Sequence, residues 1–434
     1  MAINRIAVIG SGVAGLTSAL LLQEKYRVTL YEKNNYFGGH THTLDVEENG
    51  VVYPVNTGFI VFNDWTYPNF IKLMQHLGVE DEHSDMSFSV RCDKSGLEYN
   101  GTNLNSLFCQ RSNVFKPRFW RMIKDILRFN KEATEQYKSN RLDPTQTLEE
   151  YLKHHRYSEN FKNHYIVPMG AAIWSASEAD ILHFPIHFFV RFFHNHGMLS
   201  VDERPQWRVL KNGSRSYVQK IKERLVGNCH LNSQIHSIQR ENNKVTLIHE
   251  DGKQESYDAV VMACHSDQAL GLLNKPTPSE LDILGAIPYQ DNSVVLHTDT
   301  SLLPKHKLGW AAWNYRIPET PEQSVSVTYN MSILQNFNCE KTFCVSLNQD
   351  HLIDPKTIIA KYNYSHPCFQ LPGTTAQQQF HHINGKQNTY FCGAYWANGF
   401  HEDGVVSAIR VAKSLGVDFE EVLQGWKAPC LKAS

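Results

Sequence analysis

Read for its apolar and polar positions, the chain opens on a short unbroken apolar run, Ile6 to Ile9, stops at Gly10, and resumes as a longer apolar stretch from Val13 to Leu22. A strand covered on both faces is written as a continuous apolar run, and a buried helix as a longer one. Val28 to Tyr31 repeats the strand pattern and ends on Glu32. The expected order is therefore strand, glycine turn, helix, strand. Farther on, Gly50 to Ile60 alternates like a strand running into a loop, Trp65 to Leu77 is helical, and Met86 to Arg91 and Gly96 to Tyr99 are short strands. Phe115 to Ala133 is a basic, aromatic helix, and Thr147-Leu-Glu-Glu150 is a capping box opening another. Val167 to Trp174 and Phe184 to Phe193 are crowded with aromatic residues. A turn and helix follow from Trp207 to Leu225. Strands then occupy His230 to Ile238, Lys244 to His249, the segment after Asp251-Gly252, and Asp258 to His265. Strands recur at Ser293 to His297 and Ser324 to Tyr329. The last pattern is a strand ending at Gly393, then a loop, and then a helix expected to begin at Gly404.

The glycines of the first turn carry chemistry. Gly10 permits a tight turn, Gly12 lets the backbone approach a pyrophosphate, and Gly15 lets the helix pack closely on the strand. Phosphates would sit on the free N–H groups at the helix start, around Val13 and Ala14, where the helix dipole favours an anion. Glu32 follows at the distance from which a carboxylate accepts hydrogen bonds from the adenosine ribose. A signal peptide or plain buried helix suits neither the three glycines nor the Gly10 to Glu32 spacing. After Glu32-Lys33 and then Asn34-Asn-Tyr-Phe37 comes a second glycine pair, Gly38-Gly39, followed by His40-Thr41, where a loop could lie on the same phosphates.

Composition narrows the function classes. The 434 residues suffice for two domains, and a net charge of −2 from 42 basic and 44 acidic residues gives no reason to expect nucleic acid as a partner. Nine scattered cysteines without a CxxC pair fit a reducing cytoplasm rather than a disulfide framework. No apolar run reaches the roughly 18 residues a membrane span needs. The 22 histidines form no recognised ligand spacing, so no metal site is expected. In the 115–133 helix, Lys116, Arg118, Arg121, Lys124 and Arg128 alternate with Phe119, Trp120, Ile123, Leu127 and Phe129. Such a segment either lies on an anionic membrane surface, giving a membrane-peripheral protein, or is a domain helix with a solvated basic face. Trp174, Phe188 and Phe192 are candidates to line an apolar substrate pocket, with Trp174 placed at the reacting centre.

With Glu32 followed by Gly38-Gly39-His40-Thr41, and with Asp258-Ala-Val-Val-Met-Ala263 and the closing Gly393 to Ala412 segment in that order, the sequence resembles the flavin-dependent amine oxidase and carotenoid (phytoene) desaturase superfamily. The resemblance implies an α/β protein: a Rossmann-like FAD-binding domain from residues 1–85, 205–270 and 379–434, with an interleaved α+β substrate domain from 86–204 and 271–378. It implies noncovalent FAD, held by the residues already named together with Gly58, Phe59 and Ile60 beside the ring system and Ile235 and Ala263 on the adenosine side. Gly393, Glu402, Asp403, Gly404 and Val405 would form the flavin end, the helix N-terminus facing the ring and stabilising its reduced, anionic form. Where relatives have a Gly-Gly-Arg loop this chain has His40. Phe400 stands where a substrate-orienting ring is common, Tyr362 or Tyr364 could supply a second, and His401 could assist proton transfer or brace the flavin edge. The activity implied is hydride removal from, or addition to, a carbon of a small hydrophobic substrate such as an unsaturated lipid, acyl chain or isoprenoid. The alternatives are an amine oxidase releasing hydrogen peroxide and a noncatalytic FAD-binding partner protein. One dinucleotide fingerprint without a second points to dioxygen, a quinone or a carrier protein as electron acceptor.

Overall fold

The opening apolar run, Arg5–Ile9, is the centre of a five-stranded sheet. In order, the strands are Asn228–His230, Arg27–Tyr31, Arg5–Ile9, Ala259–Met262 and Thr389–Phe391, and every pairing is parallel. Parallel strands need crossovers, and these cover both faces. Ile6 and Val8 pack with the first helix, Val13–Leu22, and the closing helix, His401–Ser414. Ala7 and Ile9 face the other way, into a core shared with Val260, Met262 and Phe391. That double burial is why the strand reads as an unbroken apolar run. The computed structural model describes residues 3–200, 202–320 and 324–426, so the outer ends of the first and last nucleotide-binding segments, 1–2 and 427–434, lie outside it.

Over the second layer stands a seven-stranded sheet in the order Ile358–Pro367, Tyr289–His297, Cys344–Leu347, Val327–Asn330, Trp313–Ile317, Phe88–Cys92 and Leu97–Asn100. Its pairings are antiparallel except between Trp313–Ile317 and Phe88–Cys92. The chain thus enters this sheet after residue 86, returns to the parallel sheet at Asn228–His230, leaves again and comes back at Thr389–Phe391. A core of its own joins this sheet to the aromatic helices Val167–Trp174 and Ile186–Asn195. The hairpin His42–Glu48/Val51–Gly58 and the meander Ile235–Glu241, Lys244–His249, Gln254–Tyr257 complete the main sheets.

Boundaries follow local chemistry. The helix expected from Trp65 begins at Pro68, because the Asn63 side chain holds Trp65 and Thr66 in a turn through their backbone N–H groups and proline takes the first helical position. The basic helix runs Pro117–Lys138, again from a proline, and turns Phe119, Met122, Phe129 and Ala133 inward. Its aromatic stripe is therefore core for the most part. Among the described residues no helix is long and apolar enough to cross a membrane.

Three buried histidines brace these layers. His297 bonds Ser346, His196 stacks on Phe192 at 3.8 Å, and His401 lies between Phe59 and Phe70 at 4.4 and 4.8 Å. Burial holds them at about 4, 4 and 3. A histidine whose folded pKa lies below the unfolded value of about 6.5 leaves the unfolded chain binding the extra proton, so stability falls as pH falls through that window, by up to about 1.4 kcal/mol per pH unit for each. Asp403, pushed up to about 6 by burial, works in the opposite sense and only partly offsets them. The melting temperature should decline steadily from pH 6.5 to about 4.5, and His401→Phe, which keeps the stack and removes a titrating group, should make that decline shallower. An unchanged slope in the variant would contradict the assignment.

Candidate active site

A cavity of about 660 Å³ lies between the carboxyl ends of the parallel strands and the second sheet, the position at which open α/β sheets bind ligands. Its three regions differ in chemistry.

At the first, Gly10, Gly12, Val13 and Ala14 form the wall. Gly10 has φ +100, and a Cβ there would meet the Ala263 carbonyl oxygen at 2.8 Å. A Cβ on Gly12, by contrast, would meet no protein atom within 4 Å, so this backbone is left open to the cavity. The helix that starts at Val13 has no side-chain cap and no acidic residue in its first turn. Open N–H groups and an uncompensated dipole there suit a diphosphate. The second glycine loop lies on the first, with Gly39 close above the Gly12 backbone and the Gly38 N–H donating to the Ser11 carbonyl at 3.1 Å. Glu32 is 5% exposed and accepts from the Ser11 N–H (2.9 Å), the Ser11 hydroxyl (2.6 Å) and the Asn34 N–H (2.9 Å). Its carboxylate is fixed in place with lone pairs to spare for a ribose. Lys33 and Ile235 line the same end.

The middle region holds a group of rings that the sequence did not bring together. His40, His265 and His366 line the cavity, with His40 at 5.3 Å from His265, 5.4 Å from His366 and 5.0 Å from Tyr364 between ring centroids. Burial, reinforced by the neighbouring imidazoles, lowers all three, to about 3, 4 and 3 respectively. Tyr289 stacks on His265 at 4.6 Å, and the Tyr364 and Thr57 hydroxyls share a hydrogen bond of 2.8 Å. One signal was legible: Tyr362, Tyr364 and His366 alternate along a strand and so share a face. His265 had none, since its neighbours come from distant segments.

The third region is an apolar chamber walled by Met86, Ile173, Trp174, Phe192, Trp313, Tyr329, Phe369 and Phe400. Trp174 lies 4.8 Å from Phe192, which lies 5.2 Å from Phe400; Trp313 meets Tyr329 at 4.9 Å. The indole N–H groups of Trp174 and Trp313 have no hydrogen-bond partner among the described residues. Gly58, Phe59, Ile60, Ala263 and Gly393 line the passage between these regions.

Several expected contacts fall elsewhere. Gly15 is packed beneath the Gly10 carbonyl, Gly38 under the Thr41 carbonyl, and the Thr41 hydroxyl bonds the Tyr217 hydroxyl at 2.6 Å, so these three support the wall rather than form it. The closing helix begins at His401, three residues before Gly404. Asp403 caps it by accepting from the Phe400 and Asn398 N–H groups at 2.9 and 3.2 Å. Glu402 accepts from the N–H groups of Asn69 and Phe70 and thereby caps the Pro68–Leu77 helix. Both carboxylates border a smaller neighbouring cavity, and Gly404 and Val405 are buried against the first helix. His401 does not line the cavity; its ring lies against those of Phe59 and Phe70. From this segment the cavity receives Gly393, Ala394, Tyr395, Asn398, Gly399 and Phe400. Of the second-ring candidates, Tyr364 reaches it and Tyr362 does not. Phe188 packs behind the wall against Trp174 and Phe369.

Known proteins share this organisation. Two curated relatives match briefly: 44 residues are 46% identical to a 1-hydroxycarotenoid 3,4-desaturase of Flavobacterium sp. (strain P99-3), and 48 residues are 46% identical to an L-amino-acid oxidase of Siganus canaliculatus. These stretches are 10% and 11% of this chain and span 9% of each relative's length. Among solved structures, one provisionally assigned as a protoporphyrinogen oxidase, from Exiguobacterium sp. 255-15, superposes with a TM-score of 0.70 at 16% identity, covering 96% of this chain and 99% of the other. The cyclohexylamine oxidase of Brevibacterium oxydans IH-35A gives 0.68 at 14% identity over 97% and 100% of the two chains, and a CLA-producing fatty acid isomerase from P. acnes gives 0.67 at 16% over 94% and 98%. At these identities the structures speak for the fold. The profile of the family described as flavin containing amine oxidoreductase matches residues 13–337, most of the chain. The chain therefore belongs to the flavin-containing amine oxidoreductase family.

Proposed function

We propose that the flavin is FAD, held without a covalent bond, and that the enzyme removes or adds a hydride at a carbon of a hydrophobic substrate such as an unsaturated lipid or acyl chain. One observation carries the reading. The cavity joins an anion-accepting helix start and a fixed carboxylate at one end to a chamber walled by aromatic and aliphatic side chains at the other. Gly10 to Ala14 and Gly39 would hold the diphosphate, and Glu32 the ribose. His40 is kept neutral by burial, so backbone N–H groups rather than a cation at this position would meet the phosphate charge. Cys368 does not line the cavity and Cys264 does; burial pushes both thiols up to about 12, away from the nucleophilic thiolate, which supports a noncovalent cofactor.

A bound flavin supplies hydride acceptance and donation at its ring. The chain's own contribution is to orient and to exclude water. Trp174, Phe192, Phe369 and Phe400 would hold an apolar chain by contact and desolvation. Amine oxidation remains the second reading because Phe400 and Tyr364 both line the cavity. Against it, the one carboxylate lining the cavity among the described residues is Glu32, at the nucleotide end, so nothing acidic faces the chamber to hold an ammonium group. With a single dinucleotide turn in the chain, dioxygen, a quinone or a carrier protein is the proposed acceptor.

Two outcomes are expected. Gly12 adopts φ −62 and ψ 178, which suit any residue, so Gly12→Val apoprotein should melt at the parent apoprotein's temperature yet bind FAD at least roughly tenfold more weakly, as read by flavin fluorescence titration. A variant that binds FAD like the parent would remove Gly12 from the cofactor site. Under anaerobic conditions the flavin absorbance should bleach with members of an unsaturated lipid and acyl panel and stay unchanged with primary and secondary amines. Bleaching by amines alone would favour the second reading; bleaching by no donor, together with no re-oxidation of the dithionite-reduced flavin by any member of the lipid and acyl panel, would favour a noncatalytic FAD-binding protein.

A further inference from the structure

Among the described residues, five exposed large apolar side chains come from two neighbouring surface segments. Leu104, Val114, Phe115, Trp120 and Leu308 are 76%, 42%, 86%, 49% and 43% exposed. They come from two segments far apart in sequence that are pinned together by the buried carboxylate of Glu98. Its oxygens accept from the backbone N–H groups of Lys305 and His306 at 2.9 and 3.1 Å and pair with the His306 ring at 2.6 Å, while its carbonyl accepts from the Asn113 amide at 3.0 Å. The apolar tips stand on stiff turns. Asn103 and Ser106 form a capping box around Leu104, the Arg111 guanidinium donates to the Asn105 and Phe108 carbonyls, and the Trp120 indole donates to the Val114 carbonyl at 2.8 Å. None of the five lines either cavity.

The segment that carries four of them is basic. From Tyr99 to Lys124 the chain carries Arg111, Lys116, Arg118, Arg121 and Lys124 and no aspartate or glutamate. Lys305 and Lys307 join from the second segment, both exposed. The nearest acid to Arg121, whose side chain is 65% exposed, is Asp125 at 3.9 Å, and that carboxylate is itself buried.

We propose that this face docks on an anionic lipid bilayer, with Phe115 and Leu104 entering the boundary between headgroups and acyl chains and the surrounding arginines and lysines meeting lipid phosphates. Single apolar tips projecting from turns, ringed by cations, suit a fluid interface. The body of the Pro117–Lys138 helix contributes cations, while most of its aromatic residues stay in the core. This surface does not line the cavity, and the proposal does not rest on the reading of the substrate.

The test is flotation of the purified flavoprotein with vesicles of phosphatidylcholine alone and of phosphatidylcholine with phosphatidylglycerol. The parent should float with the anionic vesicles, stay unbound with neutral ones, and be released by salt. The double variants Leu104→Ser/Phe115→Ser and Arg118→Glu/Arg121→Glu should each lower the bound fraction by roughly tenfold at unchanged melting temperature and flavin absorbance, the substituted side chains being exposed. Absence of flotation by the parent overturns the proposal, as does flotation that survives the apolar substitutions. Self-association in sedimentation that Leu104→Ser/Phe115→Ser abolishes, with no vesicle binding by the parent, would make the face a contact between copies of the chain instead.

Discussion

The structure depends on the close approach of three backbones at the head of the first helix. Gly10 packs against the Ala263 carbonyl, Gly15 lies under Gly10, and Gly404 of the closing helix meets Val13, which would lie 2.5 Å from an added Cβ. These contacts bring the strands Arg5–Ile9 and Ala259–Met262 and the helix that follows Thr389–Phe391 into one wall, although their segments lie hundreds of residues apart. They also leave the first N–H groups of the Val13–Leu22 helix without a protein partner, facing the cavity. A helix end left open in this way is costly unless a ligand or water satisfies it. The wall that organises the fold is thus the same one that calls for an anion.

Everything beyond that wall is set by the interleaving of the chain. Because the second sheet is made from two excursions, its strands Tyr289–His297 and Ile358–Pro367 hang over the carboxyl ends of the parallel strands and close the cavity from above. The hairpin ending at Gly58 and the loop at Gly39-His40 form the side. Polar links such as the Thr57 to Tyr364 hydroxyl bond and the ring contacts of His40 tie one layer to the other in the middle region, while aromatic packing takes over at the chamber. The cavity wall thus grades from backbone N–H groups through neutral imidazoles to phenyl and indole rings.

The sheet core and the nucleotide end were legible in the sequence because they are local. A buried strand, three glycines and an acid at the end of the next strand occupy the first thirty or so residues, and each has its own physical signature. The flavin end was legible only as an order of segments, and its details came out differently. Glu402 and Asp403 resembled cofactor ligands, yet each is consumed by capping a helix. Asp403 reaches back to the N–H group of Phe400, and a phenylalanine at that position concealed the capping pattern, which is ordinarily announced by serine or threonine. His401 looked like a proton carrier because its intrinsic pKa is near neutral, but burial among Phe59 and Phe70 decides its state instead. The histidines at 265 and 366 escaped attention because their proximity to His40 is a product of topology. No spacing in the chain encodes it.

The central claim is that the open helix start, Gly39 and Glu32 together hold the adenosine diphosphate half of FAD without a covalent bond. Denaturing the purified protein and identifying what it releases tests this directly. FAD should be found free in the supernatant, in a ratio of about one per chain. Release of FMN, or a flavin that stays attached to the polypeptide, would contradict it.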